Sequence, residues 1–118
     1  LAANWHTMNE YIFLFRGGKT STANETELQE HEEAWDEWME QLEETGVLID
    51  GLPLRDMGVM VTADAMQEAD FGSEEGITGY LILECEDLDQ ATELASDCPI
   101  FDFGGKVEVR ELINERGE

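Results

Sequence analysis

The run Tyr11-Ile12-Phe13-Leu14-Phe15 constrains the fold of this chain more than any other feature. It is apolar throughout, rich in aromatic and β-branched residues, and too short for a helix. That pattern suits a strand buried on both faces, and hence a central place in a sheet. Arg16-Gly17-Gly18 gives it a flexible exit. A central strand needs neighbours on both edges and a covering layer, and the rest of the chain supplies candidates for each.

After a polar stretch, Thr22 with Glu25 or Asn24 with Glu27 has the spacing of a helix-capping box. Leu28, Ala34, Trp35, Trp38, Met39 and Leu42 then draw one apolar stripe at helical spacing, and Gly46 is placed to stop the helix. Val47-Leu48-Ile49 reads as a short strand broken by Asp50-Gly51 and Pro53, and Met57 to Thr62 as another. Residues Asp64 to Glu75, polar and holding Gly72, read as a loop or bent edge. Ile77 to Glu84 returns to a strand. A second helix starts at Asp87 with the stripe Leu88, Ala91, Leu94 and Ala95, and Pro99 forbids its continuation. Gly104-Gly105 turns the chain into a last strand, Lys106 to Ile113.

The order β-α-β-β-β-α-β predicts an α+β, ferredoxin-like two-layer sandwich with a mostly antiparallel sheet. Right-handed crossovers place both helices on one face. The bare face then exposes apolar side chains of the first strand, which predicts a homodimer packed partly sheet on sheet. At 118 residues the chain holds one domain, expected over 8–114, with Leu1 to Thr7 an N-terminal extension or leader remnant.

The charge is extreme: 29 Asp and Glu face 6 Lys and Arg, for a formal −23. That balance opposes binding to nucleic acid or to anionic membranes, both of which call for Lys and Arg. It leaves a solvated surface suited to a saline cytoplasm, a cationic partner or substrate, or divalent metal binding. Cys85 and Cys98 are too few for a disulfide scaffold, and no apolar run reaches membrane length. The expected location is the cytoplasm. No cofactor fingerprint, phosphate loop or Ser-His-Asp pattern is present.

Several segments together resemble the YCII-related family, especially its DGPF-domain branch. They are EYIFLFRGG, AWDEWMEQL with ETGVLIDGLPL, GYLILECEDLDQATELA and CPIFDFGGKVEVREL, covering about residues 9 to 113. The pairing of GxLxxGxPL with CPxxxxGGxxEVR carries the resemblance. It implies a dimeric α+β barrel of ferredoxin-like protomers, with a small cleft per protomer near the dimer interface. The Asp-Gly-Pro-Phe signature would fall near Gln67-Glu68-Ala69-Asp70 and is absent; Asp70-Phe71 and Glu75 echo it. Relatives in the YCII branch carry a His on the first helix and an Asp just before the Pro after the second. His31 matches the first, but Cys98 stands before Pro99 with Asp97 one place earlier, so the pair is altered.

The candidate catalytic residues are therefore His31 and Asp97. His31 reads either as a general acid or base beside the helix stripe, or as an imidazole at the edge of the core. Asp97 either orients that ring or is a solvated last-turn acid. The ligand-binding candidates are Arg16, Trp35, Asp70, Tyr80, Cys98 and Arg110. The arginines could clamp a substrate carboxylate or balance local acids. Cys98, at a helix C-terminus where the dipole disfavours a thiolate, reads better as a packed thiol than as a nucleophile. Trp35 suits a pocket wall, and Tyr80 could offer its hydroxyl to a cleft or simply pack. Glu27 and His31 at i, i+4 make no metal site by themselves. Three functions compete on these residues. One is a lyase or isomerase that moves a proton with His31. Another is a non-catalytic ligand-binding or regulatory module, since some DGPF-type relatives are linked with sigma factors. The last is a structural dimer with vestigial chemistry.

Overall fold

The computed structural model describes residues 8–73 and 75–113; the expected leader at 1–7 and the domain end at 114 lie outside them. Strand β1 (Asn9–Arg16) is central, as its composition demands. It pairs antiparallel with β5 (Ile77–Cys85) on one side and with β6 (Lys106–Glu111) on the other. β2 (Leu48–Pro53) pairs antiparallel with the far edge of β5, giving the order β2-β5-β1-β6.

Helix α1 (Glu25–Glu44) begins with a full capping box. Asn24 accepts from the Glu27 amide, and Glu27 reaches back to the Asn24 amide. Of the two boxes legible in the sequence, Asn24–Glu27 is the one formed. The helix stops at Thr45, and Gly46 follows in the left-handed region at φ 78°. Helix α2 (Leu88–Ala95) is capped by Asp87, whose side chain accepts from the Gln90 amide.

Strand alternation decides which side of the sheet is buried. Tyr11, Phe13 and Phe15 of β1 and Leu81, Leu83 and Cys85 of β5 point to one face and are buried there. Trp38 of α1 lies stacked on Phe13, with centroids 6.4 Å apart, and meets Phe15 edge on. Its indole N–H crosses to α2 and donates to the Leu94 carbonyl at 3.2 Å. Ala91 and Ala95 are small enough to bring α2 down on the same cluster. Both helices thus cover one face. On the other, Ile12, Leu14, Tyr80 and Ile82 stay half-buried, with no covering layer among the described residues.

The main sheet and helices follow the ferredoxin-like order β-α-β-β-α-β. A hairpin, β3 (Met57–Val61) with β4 (Met66–Asp70), is inserted between β2 and β5. Here two expectations are corrected. Asp64 to Glu75 is not a loop or bent edge throughout, because Met66–Asp70 pairs with β3 in register Val59↔Glu68. Nor do Asp50-Gly51 and Pro53 end β2; they continue it after an irregularity between Leu48 and Asp50. Pairing to β5 overrides the weak local preference there. Beyond α2, Pro99–Phe103 forms a 3₁₀ turn closed by Gly104 at φ 76°. The stripes are also less buried than their spacing implies: Leu28 is 37% and Leu88 51% exposed, while His31 is buried. No described helix is long and apolar enough to cross a membrane.

Candidate small-molecule site

A cavity of about 360 Å³ opens between α1 and the β2–β5 side of the sheet. Trp35 and Met39 border it from α1, Phe15 from β1 and Ile100 from the 3₁₀ turn. Gly51 and Gly79 border it from the sheet, and Gly17-Gly18 from the exit of β1. Gly79 lies opposite Phe15 on one side and Pro53 on the other, so it sits on the helix-covered face without a side chain to fill the space. Gly18 cannot be replaced cheaply: its φ is +73°, and a Cβ would stand 2.4 Å from Ile100. At Gly51 a Cβ would come within 2.3 Å of Leu81. Among the described residues the lining contains no Asp, Glu, Lys, Arg or His.

Beside this cavity, one turn back along α1, His31 is buried between Trp35 and Phe103. The Trp35 indole N–H donates to His31 Nε2 at 3.0 Å, and the Phe103 ring lies edge on at 4.6 Å between centroids. With Nε2 accepting, the neutral imidazole carries its proton on Nδ1. That Nδ1 is buried and has no hydrogen-bond partner in the protein, the one such side-chain atom among the described residues. Trp35 therefore belongs to both places: it borders the cavity and holds the imidazole.

The other candidates are placed elsewhere. Asp97 lies in a shallow polar groove with Glu37, Gln41 and Asp102, beside the second helix, and no hydrogen bond joins it to His31. Cys98 borders the same groove but is buried. It is not the C-terminus of α2, which is capped at Ser96; it opens the 3₁₀ turn, its Sγ accepting the Ile100 amide at 3.5 Å. Burial pushes its thiol up to about 12, so it is not a thiolate at neutral pH. Arg16 donates through Nε and Nη2 to Glu108 Oε1, at 3.3 and 3.0 Å, and through Nη1 to the Glu75 carbonyl. Arg110 is largely exposed, 3.7 Å from Glu108. Neither arginine borders the cavity. Asp70 accepts the Gly72 amide at 2.9 Å and fixes the exit of β4. Tyr80 borders the cavity, yet strand alternation turns its side chain toward the open face, as for Leu52 paired with it.

Only Trp35 of the sequence candidates is thus joined to His31. Sequence reasoning missed Phe103 and the glycines. Gly17-Gly18 was legible as an exit and Gly51 as a break; nothing in their spacing showed that they and Gly79 line one cavity.

The family model for the YCII-related domain matches residues 10–116. This chain belongs to the YCII-related family. Among solved structures it is similar to 5-chloro-2-hydroxyhydroquinone dehydrochlorinase (TftG) from Burkholderia phenoliruptrix AC1100, in complex with 2,5-dihydroxybenzoquinone. The TM-score is 0.55 at 17% identity, covering 91% of this chain and 96% of that one, which shows a shared fold. No curated protein matches the sequence.

Proposed function

We propose that this YCII-related protein is a small-molecule lyase or isomerase of the proton-transfer kind, binding its substrate against Trp35 and moving a proton through His31. The observation that carries this is the orphaned His31 Nδ1. A buried polar atom without a partner costs about 1–3 kcal/mol, so a water or a ligand group would be favoured at this nitrogen. Trp35 occupies Nε2, which leaves Nδ1 for proton transfer, and because Nδ1 is buried off the cavity wall the substrate reaches it only on displacing Trp35. A ligand pressed on Trp35 acts on the imidazole's single protein hydrogen bond. The similar fold solved with a small dihydroxybenzoquinone supports a site of this size, on fold-level analogy.

The alternative is a non-catalytic binding module, which the cavity lining favours: His31 stands behind Trp35 rather than on the wall, and no carboxylate orients it. The test is a thermal-shift screen of small metabolites on wild type and His31→Gln, followed by turnover of each stabilising compound. Gln keeps an acceptor for Trp35. The proposal expects both proteins to be stabilised by the same compound, with turnover falling roughly 100-fold or more in the variant. Equal turnover in the two proteins removes His31 from the chemistry, binding without turnover in either gives the site to the binding module, and no stabilising compound at all removes the site.

We also propose that a second copy covers the open sheet face. Ile12, Leu14 and Ile82 form an apolar strip there, flanked by the Arg16–Glu108 pair. Light scattering should give twice the 13.3 kDa protomer mass; a single-protomer mass rejects this arrangement.

A further inference from the structure

We infer that the cavity takes an uncharged, flat ring ligand, and that Gly79 sets the space available to it. This rests on the proposed small-molecule site and goes on to say what class of molecule enters.

The chain is 30% charged, yet among the described residues no Asp, Glu, Lys, Arg or His reaches the cavity wall. Among the described residues a ligand carboxylate or phosphate would meet no cation there: Arg16 is engaged by Glu108 and the Glu75 carbonyl, Lys19 by Asp56, and Arg110 lies out on the surface. The formal −23 of the whole chain repels it further. A cationic ligand is drawn to the surface by that same charge. Inside, it finds no carboxylate to replace its water, and an unpaired buried charge is strongly disfavoured. Neutral molecules meet neither obstacle.

Shape narrows the ligand independently of charge. Trp35 and Met39 stand on the helix side and Phe15 and Leu81 on the sheet side, with Gly79 a side-chain-free position between β1 and β2. An opening bordered by aromatic rings and one bare strand position suits a flat ring better than a branched or globular molecule. About 360 Å³ is at the lower end of ordinary small-molecule sites.

Three of the four bordering glycines, Gly18, Gly51 and Gly79, differ in what they tolerate. Gly18 and Gly51 are locked by close contacts. At Gly79 a Cβ would lie 3.3 Å from the Leu52 carbonyl oxygen, 3.4 Å from Pro53 Cα and 3.7 Å from the Phe15 ring, so β2 need give by only a few tenths of an ångström. Gly79→Ala should therefore fold, with its methyl standing where the ligand ring would lie.

The test is calorimetric titration of the full chain with 2-naphthol, 2-naphthoate and 2-naphthylmethylamine, three probes of one shape and different charge. 2-Naphthol should bind, with the two charged probes at least about tenfold weaker. Gly79→Ala should weaken 2-naphthol by about tenfold while keeping the wild-type melting temperature within a few degrees; if it does not fold, Met39→Trp supplies a second obstruction from the helix side. Naphthoate or the amine binding as tightly as naphthol, with sensitivity to Gly79→Ala retained, overturns the ligand class but leaves the site standing. Binding of every probe that ignores both substitutions, or no binding of any, removes the site along with the inference.

Discussion

Burial governs the titrating residues that the structure perturbs. Cys98, Cys85 and Tyr11 all have their proton held more tightly than usual, in each case mainly because the charged form would lose its water. Asp102 adds repulsion at Cys98, and Asp87 with Glu84 adds it at Cys85. A group whose proton is held more tightly in the folded state adds stability below its unfolded value and loses it as pH rises. For Cys98 the window runs from the ordinary thiol value of 9.0 to about 12. Chemical denaturation should therefore show falling stability above about pH 9, and Cys98→Ala should flatten part of that slope; an unchanged slope contradicts the burial argument. Both thiols should also resist a thiol reagent until the protein unfolds. His31 belongs to another class, since its burial leaves Nδ1 orphaned while Nε2 is satisfied. His31→Ala also strips Trp35 of its acceptor and should be less stable than His31→Gln by about 1 kcal/mol, measured by urea denaturation.

Elements differ in how far their own sequence decided them. The five apolar residues of β1 and the paired stripe and cap of α1 were readable, because an all-apolar five-residue run and helical spacing leave few alternatives. The expected burial of β1 on both faces is corrected to one buried and one half-buried face, since the helices cover one side only. The hairpin was not. Its second strand, Met66–Asp70, carries two acids and little β-branching, and only pairing to β3 makes it a strand. The hairpin is also thinly supported: Met57, Val59, Val61 and Met66 are each more than half exposed. Phe71 packs over Gly58, and the Lys19–Asp56 pair ties the hairpin base to the β1 exit. Two strands alone are marginal in water, so amide exchange in β3–β4 should run far faster than in β1 and β5. Equal protection would show a cover for the hairpin in solution. At α1, Asn24→Ala removes the capping oxygen and should cost about 1 kcal/mol. At the candidate site, His31 and Trp35 stood four residues apart on one helix in the sequence and are joined by a hydrogen bond, whereas Asp97 and the arginines make no hydrogen bond with them. The glycines were invisible as a group because they meet only through strand register.

For the whole molecule, charge and shape act together. A formal −23 repels itself, so added salt should raise the melting temperature between about 0.05 and about 1 M NaCl, and a flat response contradicts this. The cavity escapes that charge, being lined by the apolar and glycine residues that the sheet and α1 bring together. Both helices lie on one face, where the cavity opens between α1 and the sheet, and the opposite face is left uncovered among the described residues. The direct measurement is chemical-shift mapping of the isotope-labelled chain with a stabilising metabolite. The account predicts shifts at Gly17, Gly18, Gly51 and Gly79, the Trp35 indole N–H, and the His31 ring. Shifts confined to Ile12, Leu14 and Ile82 on the open face, or to the Asp97 groove, would contradict it.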